Sequence, residues 1–399
     1  MKIVLITHIT PASENIRGTS ALPYHLMIHR PQGIDILIYS FNNNKLSKQK
    51  IKEVEAELNV KIVLLSQPLW LIWVLKLHMS VIRVFLKFPI FNYIKLSNSI
   101  VEDIKSQKPD GIWIYGQDFS RISRQFSQYR RVHTLPDCES LFYYRMLGRR
   151  FVFKKCMSLL RNMLMYLKYV RMEGQYDNDK TIRYHLVGNA DVESLRNINH
   201  GIQAYFLRHP HYHISEQKKK ISFSIPKIKL LVAGQYNLYM RQSADELVAL
   251  LNREKRSLRN SYKITFLGHG WEYHVSELRN AGYEVKHIIF ASDYIEEIIK
   301  HDVQLAPIAV GTGTKGKVLD AIANGLLVIG TGYALENIAV TSGISCVQYD
   351  SEEDLLKVLR NLPCNLEKYE QMAECGRKAV LEKHGRELIG KKLIALFND

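Results

Sequence analysis

The sequence predicts an α/β fold made of two successive series of strand–helix units. Three observations predict it. The chain opens on an apolar, β-branched run at residues 2–7, the pattern of a strand buried on both faces of a parallel sheet. A second run of this kind, at 228–234, follows the lysine-rich polar stretch 216–226. Residues 301–331 then read as strand, glycine-rich loop, helix and strand without a break.

Composition is consistent with this plan. A chain of 399 residues suggests two or three domains, and 46% apolar residues can fill real cores. The net charge of +16 implies attraction to phosphates carried by nucleic acid, anionic lipid or nucleotide. The five cysteines show no C-x-x-C pair and read as reduced thiols of a cytosolic protein. The N-terminus starts directly on a strand, so no signal peptide is expected. No window offers about twenty uninterrupted apolar residues for a membrane span.

After the first strand comes a loop at 9–20 with Arg17 and Gly18, and then a helix from about Ser20. Residues 34–39 and 61–65 read as the next strands. The segment 69–91 is the most apolar of the chain, interrupted by Lys76, Arg83 and Lys87 at helical spacing. With Trp70 and Trp73 it fits an interfacial helix, apolar side in lipid and basic side toward lipid phosphates. A buried helix with a solvated basic edge fits the same pattern. A strand at 111–115 precedes a basic tract, in which Lys154, Arg161 and Lys168 repeat every seven residues as a second amphipathic segment, 151–172. His209, His211 and His213 alternate, but no carboxylate or cysteine completes a metal set.

In the second series, residues 262–268 and 282–289 read as strands around the glycine-rich stretch. Val303, Leu305 and Pro307 end a strand; Gly311, Gly313 and Gly316 form a slim loop; Val318, Leu319, Ile322 and Ala323 have helical spacing, stopped by Asn324-Gly325. A glycine loop opening a helix is an anion site. Lys315 and Lys317 are intrinsically unfavourable at the positive end of a helix, so they suggest an anionic ligand. The string GTGTKG matches the dinucleotide fingerprint, but it lies late in the chain rather than after the first strand. Amphipathic helices follow at 351–362 and 366–383, and a last helix at 386–397.

Pro307, Gly311, Gly313, Lys315, Lys317, Asp320, Ala321, Gly325 and Leu327-Val328-Ile329 together resemble the C-terminal domain of GT-B glycosyltransferases, specifically retaining family 4. The resemblance implies two Rossmann-like domains facing across a cleft. It implies an acceptor-binding domain at 1–215, a linker at 216–226, a nucleotide-sugar domain at 227–385, and a terminal helix at 386–399 packing back on the first domain. It also implies donor-binding roles for Gly311, Thr312, Gly313, Thr314, Lys315, Gly316 and Lys317 around the diphosphate, and for Asp320 at the ribose hydroxyls. Arg241 would be a second diphosphate base, Ile288 would lie at the nucleotide base, and Gly18 would border the donor. His133 and Asp137, at the end of a first-domain strand, are the implied residues beneath the donor sugar, so that His133, Asp137, Arg241 and Lys315 form the implied catalytic set. Two positions depart from the family: Thr312 replaces a glutamate that faces the donor sugar, and Gln235 replaces a common arginine.

The activity implied is hexosyl transfer from a nucleoside-diphosphate sugar, with retention and with neither metal nor cofactor. The acceptor would be a lipid-linked or other glycan of surface polysaccharide synthesis, at the cytoplasmic face of an anionic membrane. A nucleotide-sugar epimerase of the same fold, and a non-catalytic membrane- or nucleic-acid-binding protein, are the alternatives. No helix-turn-helix, zinc-finger or base-stacking signature favours nucleic acid.

Overall fold

β-branched and aliphatic residues without polar alternation make strands that need cover on both faces, which is the condition for a parallel sheet flanked by helices. The computed structural model describes residues 1–77, 80–148, 156–217 and 220–398. These form two all-parallel sheets. The first contains β1 (Lys2–Thr7), β2 (Asp35–Ser40), β3 (Lys61–Leu64), β4 (Gly111–Tyr115), β5 (Arg130–Leu135), β6 (Ile182–Leu186) and β7 (Ala204–Phe206), in spatial order β3-β2-β1-β4-β5-β6-β7. The second contains β8 (Ile228–Ala233), β9 (Tyr262–Leu267), β10 (Glu284–Ile288), β11 (Val303–Ala306), β12 (Leu327–Gly330) and β13 (Val347–Gln348), in order β10-β9-β8-β11-β12-β13.

The chain divides into two compact units. One is Met1–Pro210 with Arg386–Asp399; the other is His211–Gly385. Residues 211–226 therefore go with the second unit. In the first unit, Ile3, Leu5, Ile38 and Trp113 pack against Ile389 and Leu393 of the terminal helix Arg386–Ala395 and Phe397 just beyond it. Arg130 fixes the end of that helix by donating to the carbonyls of Phe397 at 3.0 Å and Asn398 at 2.8 Å. The opposite face of the sheet packs Val4, Ile6, Ile112 and Ile114 on the helix Asn98–Ser106 and its neighbours. In the second unit, Leu230, Val232, Ile264 and Phe266 pack on the helix Arg241–Arg253, and Leu231, Val328 and Ile329 are likewise fully buried.

The segment 69–91 is not one helix. Leu69–Lys76 and Ser80–Phe85 are separate helices, and Ile90–Tyr93 is a short 3-10 turn. Lys87 lies in the intervening bend, off the helical face expected for it. The long helix Cys156–Glu173 carries Arg161 exposed and Lys168 buried. Lys168 Nζ donates to the carbonyls of Arg83 and, at 3.1 Å, Val84. It satisfies the carbonyls that the end of helix Ser80–Phe85 leaves open, so this lysine is structural rather than lipid-facing. Lys154 lies outside the described residues. Arg131, within the basic tract, is fully buried between Asp177 and Asp179, each at 2.9 Å.

Candidate functional site

In an open parallel sheet, loops diverge where the strand order reverses, and ligands bind in the crevice beyond the carboxyl ends of that pair. In the second unit the pair is β8 and β11. The loop after β8 and the loop after β11 are joined directly: Ala309 N–H donates to the Tyr239 carbonyl at 2.7 Å. The loops after β8 and β9 also run close. A Cβ on Gly268 would sit 2.3 Å from the Gly234 carbonyl oxygen, so only glycine fits there.

The glycine-rich loop leads into the helix Gly316–Ala323, whose N-cap is Lys315. The Lys315 side chain folds back over its own loop and donates to the carbonyls of Thr312 at 2.6 Å and Gly313 at 3.3 Å. Gly311 makes this possible, because a Cβ there would lie 2.7 Å from Lys315 Cε. Asn337 braces the same loop by donating to the Gly313 carbonyl at 2.9 Å. Gly311, Thr312 and Gly313 are buried, Thr314 and Gly316 half-buried. The result is a positive charge held on a fixed loop at the positive end of a helix.

Lys317, one residue into the helix, has an exposed stem, and its ammonium lies 5.4 Å over the Tyr294 ring. Desolvation there lowers its pKa. The Tyr294 hydroxyl is buried and has no protein hydrogen-bond partner among the described residues. Burial, and then the Asp320 carboxylate, push the pKa of this phenol upward. Asp320 itself is buried, and its Oδ1 accepts the backbone N–H of Tyr212 at 2.9 Å. One turn on, Asn324 Oδ1 accepts Ser215 N–H at 2.8 Å and Asn324 Nδ2 donates to the His213 carbonyl at 2.9 Å. Positions 320 and 324 share a helical face. That face holds the chain at 212–215, which is irregular rather than a strand, so the three alternating histidines do not line one side of a sheet.

Arg241 is exposed at the start of its helix, with its guanidinium 5.4 Å over the Tyr236 ring. Ile288 ends β10 half-buried, and its carbonyl accepts Gly268 N–H at 2.8 Å. Gln235 is exposed in the loop after β8. Beside Ile308 and Ala309, a recess of about 530 Å³ opens toward Glu246, Tyr333, Glu336 and Tyr349. The second unit thus brings Lys315, Lys317 and Arg241 to the carboxyl ends of adjacent central strands. Tyr236 and Tyr294 belong to this arrangement and were not singled out from the sequence. Aromatic platforms and loop braces depend on tertiary neighbours and leave no spacing signal.

In the first unit the corresponding reversal is at β1 and β4. Gly18, at φ +145°, is exposed in the loop after β1, next to the helix Ala21–Met27. His133 is not at a strand end. It lies within β5, fully buried, with Nε2 2.8 Å from the Gly116 carbonyl, and burial pushes its pKa down to about 4. Such an imidazole is a buried group of the sheet rather than a strand-end residue. Asp137 is half-buried in the loop after β5. Around it the structure gathers carboxyls that sequence reading missed. Gln117 Nε2 donates to Glu139 at 3.0 Å, Cys138 N–H to Asp191 at 2.8 Å, and Ser140 N–H to Glu173 at 3.2 Å. Burial pushes Asp118 and Glu173 up to about 7. Burial and the neighbouring carboxylates, Asp137 first, push Glu139 well upward.

No family model and no curated protein matches the sequence. Solved structures do match along the whole chain. HepE of Anabaena in complex with UDP aligns over 100% of this chain and 100% of its own, at 12% identity and a TM-score of 0.64. The lipopolysaccharide outer core galactosyltransferase WaaB aligns over 100% and 99%, at 12% identity and a TM-score of 0.63. Sucrose-phosphate synthase from Thermosynechococcus elongatus aligns over 100% and 98%, at 10% identity and a TM-score of 0.64. At this identity the likeness is one of fold: two Rossmann-like units of the GT-B class.

Proposed function

We propose that the chain is a glycosyltransferase that takes a sugar from a nucleoside-diphosphate donor. The observation that carries the reading is the glycine-rich loop after β11, which holds Lys315 at the positive end of helix Gly316–Ala323 next to the β8/β11 reversal, with Lys317 in that helix and Arg241 after the neighbouring β8 loop. As the sugar–phosphate bond breaks, negative charge grows on the leaving diphosphate. Fixed cations and the positive end of helix Gly316–Ala323 stabilise that charge without moving, and they can do so without a metal. Asp320, one turn into that helix, is the residue proposed to hold the ribose hydroxyls. UDP in HepE and the galactosyltransferase activity named for WaaB support this class of donor. Retention of configuration follows from the sequence resemblance alone. Asp137 is the first-unit candidate beneath the donor sugar.

The acceptor side of the proposal is a lipid-linked glycan at a membrane surface. No helix among the described residues is long and apolar enough to cross a membrane. The first unit nevertheless exposes large apolar groups: Leu69 is 75% and Phe85 83% exposed, and Trp73 and Met157 are also outward. Lys76, Arg83 and Arg161 are exposed on the same helices. A large apolar surface with basic neighbours fits an anionic interface.

A thermal-shift screen of UDP, GDP, ADP and CMP tests the donor. A nucleotide at a hundred times its dissociation constant stabilises by about 2.7 kcal/mol. No shift with any of them would remove the donor assignment. Product analysis with radiolabelled donor then separates transfer to an acceptor from epimerisation of the donor itself.

A further inference from the structure

The loop after β8 offers a single base. Residues 235–240 carry no cation, and Arg241 follows at the start of the helix Arg241–Arg253. An exposed arginine has many rotamers, and a cation that must be gathered at each binding event contributes less than one already held. Arg241 is held, but not by a carboxylate: its guanidinium stacks 5.4 Å over the Tyr236 ring. Asp245 lies one turn along the same helix, where an ion pair with Arg241 would ordinarily form. Its Oδ1 instead accepts the Tyr236 hydroxyl at 2.6 Å and His274 Nε2 at 2.9 Å. A carboxylate can only accept, so His274 donates from Nε2. Among the described residues Arg241 has no ion-pair partner.

The ring beneath Arg241 is fixed from several sides. Tyr236 N–H donates to the His269 carbonyl at 2.9 Å, which ties the loop after β8 to the loop after β9. The ring centroid lies 4.5 Å from that of His274 and 5.3 Å from that of Trp271, at the start of the helix Glu272–Asn280. Trp271 is fully buried, and its Nε1 donates to the Gly234 carbonyl at 2.8 Å. A Cβ on Gly270, which has φ +89°, would come within 3.3 Å of Tyr236 Cβ, so glycine lets that strand end approach the ring. Burial and then the Asp245 hydrogen bond push the phenol up to about 12, so it remains a donor at neutral pH. Backbone, ring and hydroxyl are each secured by a different element, while the ring carries a guanidinium that no carboxylate neutralises.

We propose that Tyr236, locked by Asp245 and His274, is a positioning residue for Arg241, holding its guanidinium ready for the donor phosphates without neutralising it. The proposal rests on the donor reading above and adds to it how the second base is held. A plain packing role for Tyr236 would make the loss on removing its ring independent of Arg241.

The test uses the full chain and whichever of UDP, GDP and ADP raises its melting temperature most, titrated by calorimetry, with the matching nucleoside as comparator. Arg241→Met is expected to weaken the diphosphate about tenfold and to leave the nucleoside unchanged. Tyr236→Leu is expected to weaken the diphosphate about fivefold, and to have no further effect once Arg241→Met is present. Tyr236→Phe keeps the ring and should recover affinity to within about twofold of wild type. If Tyr236→Leu does not fold, Tyr236→Phe carries the same comparison, with a loss of about twofold when Arg241 is present and none when it is not. Losses that multiply in the double variant, or an equal loss for the nucleoside, would overturn the positioning role. Full diphosphate affinity in Arg241→Met would overturn it too, while leaving the donor site at Lys315 standing. No binding of any of the three nucleotides to the wild-type chain would remove the donor reading and this one with it.

Discussion

The two sheets end in crevices of opposite character. Beyond β8 and β11 stand Lys315, Lys317 and Arg241; beyond β4 and β5 stand Asp118, Asp137, Glu139 and, from nearby helices, Glu173 and Asp191. The topology is the same doubly wound pattern in both units, with the reversal at β8/β11 and at β1/β4. Strand order creates a place for a ligand at each reversal; the acidic cluster of the first unit lies beside its reversal, beyond β4 and β5, and the side chains set the charge of each region. In the cationic crevice the charge is fixed by loop carbonyls and an aromatic ring. In the acidic one burial raises Asp118 and Glu173 to about 7 and pushes Glu139 well upward.

Removing the cationic member should give the largest effect. Lys315→Met and Lys317→Met are each expected to weaken UDP or its equivalent by about 1.5–3 kcal/mol, with much less change for the bare nucleoside. Calorimetry with both ligands reads this directly. Equal losses for diphosphate and nucleoside would mean that the loop had collapsed rather than that a phosphate ligand had gone. Asp118→Asn, in the other crevice, should leave nucleotide affinity unchanged.

Asp320 joins the cationic crevice to the body of its unit. Because it accepts the buried Tyr212 N–H, Asp320→Ala should lower unfolding stability by about 1–3 kcal/mol besides any loss of ribose binding. Asp320→Asn keeps an acceptor, and a melt near wild type with weakened ribonucleotide binding would isolate the ligand role.

Two basic residues of the long first-unit helix differ in the same way. Lys168→Met should cost about 1 kcal/mol in denaturant unfolding, since it uncovers the carbonyls of Arg83 and Val84. Arg161→Gln, at an exposed position, should stay within about 0.5 kcal/mol. Reversal of that order would return Lys168 to the solvated face that its spacing suggested.

The acidic crevice should respond to pH. Asp118 and Glu173 have folded pKa values raised to about 7 from 3.8 and 4.5, so the folded chain holds protons that the unfolded chain has released. Their contribution to stability is present below the unfolded values and is lost as pH rises toward 7. His8, His133 and His185 act oppositely, because burial lowers them from 6.5 to about 4 and stability falls as pH falls through that window. The wild-type profile is thus a small difference of two slopes. Asp118→Asn removes one acid, and its melting temperature relative to wild type should rise between about pH 4 and pH 7. A constant difference across that range would mean that Asp118 titrates normally.

The sequence by itself determined the α/β class, most of the strands, and the glycine loop with its two lysines. The reason is local: residues buried on both faces must be apolar throughout, and a loop passing close over its own lysine must be glycine at Gly311. Tertiary structure decided the rest. His133 became a core residue because β5 runs past it to Leu135 between β4 and β6. Lys168 was turned inward by the end of another helix far away in sequence. The carboxyls of the first unit come from the loops after β4 and β5 and from three helices, so no spacing along the chain could have placed them together. Periodicity reports which face of an element is buried, but a charge takes its role from what the neighbouring element leaves unsatisfied, and only the folded chain supplies that neighbour.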